Sequence, residues 1–143
     1  MSKSITLSIL LSVLLISCRS EQHAEAEVSR LLATSESWNG VSLPEYPEGQ
    51  PRITVLRVTI PPNTELPVHK HPVISAGVVL QGELTVTTAT GETLRLKAGD
   101  AVSEVVNTWH YGKNSGSEPA EIIVFYAGTD ETPITAYEES DED

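Results

Sequence analysis

Glu83-Leu84-Thr85-Val86-Thr87, a turn at Thr90-Gly91, then Thr93-Leu94-Arg95-Leu96-Lys97: on both sides of the turn, apolar and polar side chains alternate. Successive side chains of an extended strand point to opposite faces, so Leu84, Val86, Leu94 and Leu96 fall on the buried face of one hairpin. The same period of two runs outward in both directions. Upstream, Ile53 to Ile60 is rich in β-branched residues and stops at Pro61-Pro62-Asn63-Thr64; Val68 to His71 starts the next strand and Gly77-Val78-Val79-Leu80 continues it, up to a bend at Gln81-Gly82. Downstream, Ala98-Gly99-Asp100 turns the chain into Ala101 to Val106, and Asn114 to Gly116 turns it again before the last apolar strand, Ala120 to Tyr126. No helical stripe interrupts this stretch. Many short strands at regular spacing predict an all-β, antiparallel barrel or sandwich, because closure removes exposed strand edges.

The rest of the chain is unlike this. Ser35 to Pro51 is crowded with turn formers (Asn39-Gly40, Pro44, Pro47, Gly49) and reads as a loop laid over the sheet, with Trp38 and Tyr46 as packing residues. Arg19 to Thr34 is polar and Ala/Glu-rich, a tether that contains His23 and has room for a short helix through Val28, Leu31 and Leu32. Ahead of it stand Met1-Ser2-Lys3 and an apolar run from Ile5 to Ile16, too short and too serine-punctuated for a membrane span and suited to a signal segment.

With 143 residues there is room for one domain and not comfortably for two. The net charge is −11, and five of the last six residues are acids, so nucleic acid and anionic lipid headgroups are excluded as partners by charge. The single cysteine, Cys18, excludes disulfides within the chain and thiolate zinc sites.

Three of the four histidines lie within the β-patterned region. His69 and His71 alternate with Lys70, which places both imidazoles on one face of a strand, roughly 6.5–7 Å apart along the chain. Two such rings can converge on one metal ion, and His110 offers a third nitrogen from a distant segment. Trp109, Tyr111 and Tyr126 are close enough in sequence to line a pocket, although core packing is the commoner fate of aromatics.

Two resemblances add to this reading. Leu15-Ile16-Ser17-Cys18 resembles the lipobox of bacterial lipoproteins. That implies cleavage before Cys18, its acylation, and a protein anchored in the cell envelope and facing the periplasm; an ordinary secretory signal with an incidental cysteine is the alternative. Several acyl chains on one residue give stable anchoring where one does not. Arg19 after the cysteine, where no aspartate stands, implies the outer membrane in bacteria that have two.

Leu66-Pro67-Val68-His69-Lys70-His71-Pro72 followed by Val79-Leu80-Gln81-Gly82-Glu83-Leu84 resembles the first motif of the cupins, and Gly99-Asp100 with His110 and Asn114 resembles the second. The likeness covers about residues 52–127. It implies a jelly-roll β-barrel over residues 52–128, after a signal peptide (1–17) and a tether and N-terminal arm (18–51), and before an acidic tail (129–143). It also implies a divalent metal (Fe, Mn, Ni, Cu or Zn) held by His69, His71 and His110, and a fold that often pairs as a homodimer. The family's fourth ligand, a glutamate, falls at Ser75, a poor substitute. In the second motif Val105-Val106-Asn107 stands where Pro-x-Gly is common, so the turn before His110 is not guaranteed. Counting inward positions after Asp100 gives Val102 and Glu104. An inward carboxylate needs a partner. Glu104 is therefore expected to complete the metal's coordination, hold a ligand histidine from behind, or act as general base, unless a one-residue register error turns it to solvent.

Three functions fit these residues. The first is a small-molecule metalloenzyme of oxygenase or isomerase type. The second is a non-catalytic metal- or sugar-binding module, and the third a metal-free structural barrel whose histidines are core residues.

Overall fold

The computed structural model describes residues 25–138; the signal segment, Cys18, His23 and the acids from Glu139 onward lie outside them. The described residues form strands β1 (Pro51–Ile60), β2 (Thr64–Glu65), β3 (His69–Lys70), β4 (Ile74–Gln81), β5 (Glu83–Thr88), β6 (Thr93–Lys97), β7 (Ala101–Ser103), β8 (His110–Asn114), β9 (Ala120–Thr129) and β10 (Ala136–Tyr137), with no helix. One sheet runs β1-β9-β4-β7. The other runs β10-β3-β8-β5-β6, with β2 also on β8. The expected all-β, antiparallel jelly roll is the fold found.

The β5–β6 hairpin has the register that its alternation requires: Leu84 faces Leu96 and Val86 faces Leu94. These side chains meet Val79, Val102, Ile122 and Val124 of the opposite sheet in one core. Each fully buried aliphatic contributes about 1.5–3 kcal/mol, so the core needs no large aromatics. Gly82 closes β4 at φ +72°, where a Cβ would stand 2.6 Å from the Pro119 carbonyl oxygen, so only glycine fits.

Four expectations need correction. Val68–His71 and Gly77–Leu80 do not form one continuous strand, because the chain crosses between sheets after His71, at Pro72, which has no amide proton to pair. Regular pairing of the Ala101–Val106 run ends at Ser103. No helix forms over the described part of the tether, residues 25–34: Val28 and Leu31 are exposed, with no surface to bury an apolar stripe that short. The fold also does not stop at 128. β9 runs through Thr129, Ile134 packs against the core, and β10 pairs with β3. Apolar and β-prone side chains from Ile134 to Tyr137 dock on a free strand edge despite their acidic flanks. Trp38 packs on the core as expected, whereas Tyr46 is exposed.

Asn114 fastens the end of β8. It is fully buried, its Nδ2 donates to the carbonyls of Ile60 (3.0 Å), Pro61 (3.2 Å) and Glu118 (2.8 Å), and its Oδ1 accepts from the Gly116 amide at 2.9 Å. Replacement by leucine strands those backbone groups without water. Asn114→Leu is expected to lose about 2 kcal/mol or more of unfolding free energy, read from the denaturant midpoint; a loss below about 0.5 kcal/mol would show that these bonds are replaceable.

Candidate metal centre

Each histidine reaches the space between the sheets by a different route. His69 lies in β3, directly opposite His110 of β8. His71 follows the strand and forms an isolated bridge to Val106. The turn that delivers His110 is made without proline or glycine. Asn107 takes a left-handed φ of 52°, a conformation asparagine tolerates, and donates its amide to the His71 carbonyl at 2.8 Å.

The three imidazoles form one cluster, with one ligand nitrogen from each within 4.8 Å of the others. Their ring centroids are 4.6–5.1 Å apart. In every ring Nδ1 lies against a backbone carbonyl: Pro67 at 2.7 Å for His69, Ile134 at 2.9 Å for His71, Thr108 at 2.8 Å for His110. A carbonyl only accepts, so Nδ1 carries the proton and Nε2 keeps its lone pair. Burial, opposed by the Ile134 carbonyl, lowers the His71 pKa to about 4, and burial likewise lowers that of His110. Both rings are therefore neutral near pH 7, as metal ligands must be. Neutral nitrogen donors with their second nitrogen anchored fit a divalent first-row metal and do not select among Fe, Mn, Ni, Cu and Zn.

Glu104 has the inward phase that the count from Asp100 gives. It is buried, lines the same cavity as the histidines, and donates its amide to the Ser75 carbonyl at 3.0 Å. Its side chain is not one of the clustered ligand atoms, which come from histidines alone. It stands instead as the site's buried acid. Its Oε2 has no hydrogen-bond partner, and burial pushes its pKa up to about 7. Ser75 extends the β4–β7 register by one step to face Glu104, and its buried hydroxyl is also unpartnered. The carboxylate missing at Ser75 thus has a counterpart on the neighbouring strand.

Tyr126 lines the cavity with its ring 5.2 Å from that of His71, and burial together with Glu104 and Tyr137 raises its pKa to about 12. Trp109 does not line it and sits under the Lys70 ammonium, 4.6 Å from the ring centroid. Tyr111 occupies the outward phase between His110 and Gly112. The sequence reading missed the carboxyl-terminal wall. Thr135 and Tyr137 line the cavity, and Tyr137 is paired with His69. Ile134-Thr135-Ala136-Tyr137 is a β-compatible run, and the surrounding acids masked it.

Comparison with known proteins agrees with this architecture. Residues 56–126 match the family described as "Cupin domain". Characterised protein sequences give no match. Among solved structures, oxalate oxidase in complex with the substrate analogue glycolate is 22% identical at a TM-score of 0.51, over 59% of this chain and 45% of that one. A DMSP lyase structure is 16% identical at a TM-score of 0.53, over 61% and 44%. A cupin-like protein from Thermotoga maritima is 18% identical at a TM-score of 0.52, over 62% and 65%. The matched region thus spans less than half of the oxalate oxidase and DMSP lyase chains, and at these identities the likeness is one of fold. With the family match, the two-sheet barrel and the three-histidine cluster in its hollow, residues 56–126 form a cupin domain.

Proposed function

We propose that this protein is a small-molecule metalloenzyme, of oxygenase or isomerase type, built on a divalent metal held by His69, His71 and His110. The observation that carries this reading is a buried carboxyl group, Glu104, left without a partner on the wall that also presents three clustered imidazoles. A barrel that served only as structure has no use for an unpaired buried acid, whose desolvation is costly. Bound in this cluster, a divalent metal supplies Lewis acidity or redox chemistry toward an oxygen-bearing substrate.

The chain's own residues account for the other requirements. The Pro67, Thr108 and Ile134 carbonyls fix the three ring orientations. Glu104, poised near neutrality, accepts or returns a proton at its free Oε2, which is the property wanted of a general acid–base residue. Tyr126 stays protonated, its ring beside that of His71.

We further propose that the barrel is exported and held at the bacterial cell envelope by acylated Cys18, facing the periplasm. Support comes from the lipobox-like Leu15–Cys18 and from the exposed, non-helical run of residues 25–34. In Cys18→Ser the protein is expected to lose labelled palmitate and to move from the detergent phase to the aqueous phase. Unchanged labelling would remove the anchor.

The site is tested by elemental analysis of the untagged protein and its variants. His69→Ala with His71→Ala is expected to abolish bound metal and leave the barrel folded by circular dichroism. Glu104→Gln is expected to keep the metal and to lower turnover about 10²–10⁴-fold, the usual contribution of general acid–base catalysis. Turnover is followed by oxygen uptake or carbonyl isomerisation over a panel of phenols, dicarbonyls and sugars. Metal retained without the two histidines ends the assignment. Metal bound with no turnover on any substrate leaves a binding module.

A further inference from the structure

The walls of the cavity say what kind of molecule it takes. Resting on the metal reading above, we propose that the ligand has a single polar head and a compact apolar body, in the manner of a short-chain or aromatic ketone, enol or phenol, and is neither a sugar nor an extended dicarboxylate.

Polar groups gather at one place on the wall. Tyr126 and Tyr137 lie beside His71 and His69, with ring centroids 5.2 and 6.1 Å away, and the Thr135 hydroxyl is 3.4 Å from His71 Nδ1. Away from this cluster the lining is hydrocarbon: Leu56, Val58, Leu66, Leu84, Val86 and Ile122. Hydroxyls of a sugar would be buried there without partners, which costs more than an apolar ligand gains.

Cations are kept out of the cavity. The strands that wall it carry Arg52, Arg57, Lys70 and Lys113, and none of the four lines it. Arg52, on the phase of Leu56 and Val58, lies at the far end of β1 and pairs with Asp130 at 3.0 Å. Arg57 pairs with Glu121 at 3.2 Å, Lys113 pairs with Glu65 at 3.2 Å, and Lys70 lies over Trp109. Among the described residues no lysine or arginine lines the cavity. A carboxylate held away from the histidine cluster therefore finds no counter-charge.

Size sets the remaining limit. The cavity holds about 230 Å³, below the roughly 300–1,000 Å³ of pockets for drug-sized ligands. Gly112 keeps the apolar end open. It follows His110 by two residues, on the same inward phase of β8, and a Cβ there would meet Leu84 Cδ1 at 3.3 Å and Leu66 Cδ1 at 3.5 Å. A larger side chain would fill the space meant for the ligand's body without touching a histidine.

The test is calorimetric and needs no turnover. The zinc-loaded protein is titrated with acetohydroxamate, butyrohydroxamate, hexanohydroxamate, oxalate and glucose. Affinity is expected to rise about fourfold per added methylene, the gain from burying one CH₂, while glucose does not bind and oxalate binds more weakly than hexanohydroxamate. Gly112→Val is expected to flatten the series and leave zinc content unchanged. Leu56→Lys, at a partly exposed site that tolerates charge, is expected to weaken hexanohydroxamate about tenfold or more and to tighten oxalate. A flat or falling series in the native protein, or oxalate as the tightest ligand, overturns this inference alone. Failure to load zinc overturns the metal reading and this inference with it.

Discussion

A backbone carbonyl can accept a hydrogen bond but cannot donate one. Three such carbonyls, at Pro67, Thr108 and Ile134, each hold the Nδ1–H of one clustered histidine. This one-way bond settles the tautomer of every ring and leaves Nε2 as the donor atom. Two of the three bonds are local, made by the residue two positions before the histidine, so the strands that carry His69 and His110 bring their own anchors. The third is not local. His71 depends on a carbonyl 63 residues further along, on the segment that leads into β10. Part of the site's geometry is therefore set only when the carboxyl-terminal strand has docked on β3.

That dependence explains which features were legible in the sequence. The period of two placed Leu84, Val86, Leu94 and Leu96 on one face, and it placed His69 with His71, because alternation is a local property of an extended chain. Glu104 was legible in the same way, by counting phase from Asp100, although pairing stops one residue before it. The sheet change between β3 and β4 was not legible, since an apolar, β-branched run continues across it. Nor was the wall formed by Thr135 and Tyr137. Its docking is decided by the free edge of β3 and by the core that receives Ile134, and neither is written in residues 129–138. His110 was legible as a third histidine of the β-patterned region, and the second cupin motif matched it as a ligand.

Ser75 and Glu104 face each other at the end of the β4–β7 pairing, and both enter the same hollow. Opposite positions on neighbouring antiparallel strands present their side chains to the same space, close together. A carboxylate carried just beyond β7 therefore enters the same hollow as a side chain at Ser75, though from a different backbone direction. This placement has a physical consequence. Joined to a separate strand and absent from the histidine cluster, Glu104 is free of the fixed distances that a ligand must keep. Its Oε2 is unpartnered, and burial alone raises its pKa to about 7.

Fold and chemistry part at this point. The barrel shared with oxalate oxidase and with a DMSP lyase supplies a hollow between two sheets, and hollows of this kind serve unrelated reactions. What individualises this one is the phase of its charged residues. A strand that buries alternate side chains must choose, at each position, whether charge faces water or the cavity. In β1 and β8 the choice sends Arg57 and Lys113 outward to Glu121 and Glu65, and in β3 it sends Lys70 over Trp109. The interior is left with one acid, three imidazoles, the side chains of Tyr126, Thr135 and Tyr137 beside them, and hydrocarbon. A cation bound by those imidazoles would have only Glu104 to offset its charge from within, so the remaining compensation would fall to the ligand's head, while the rest of the ligand would meet aliphatic side chains.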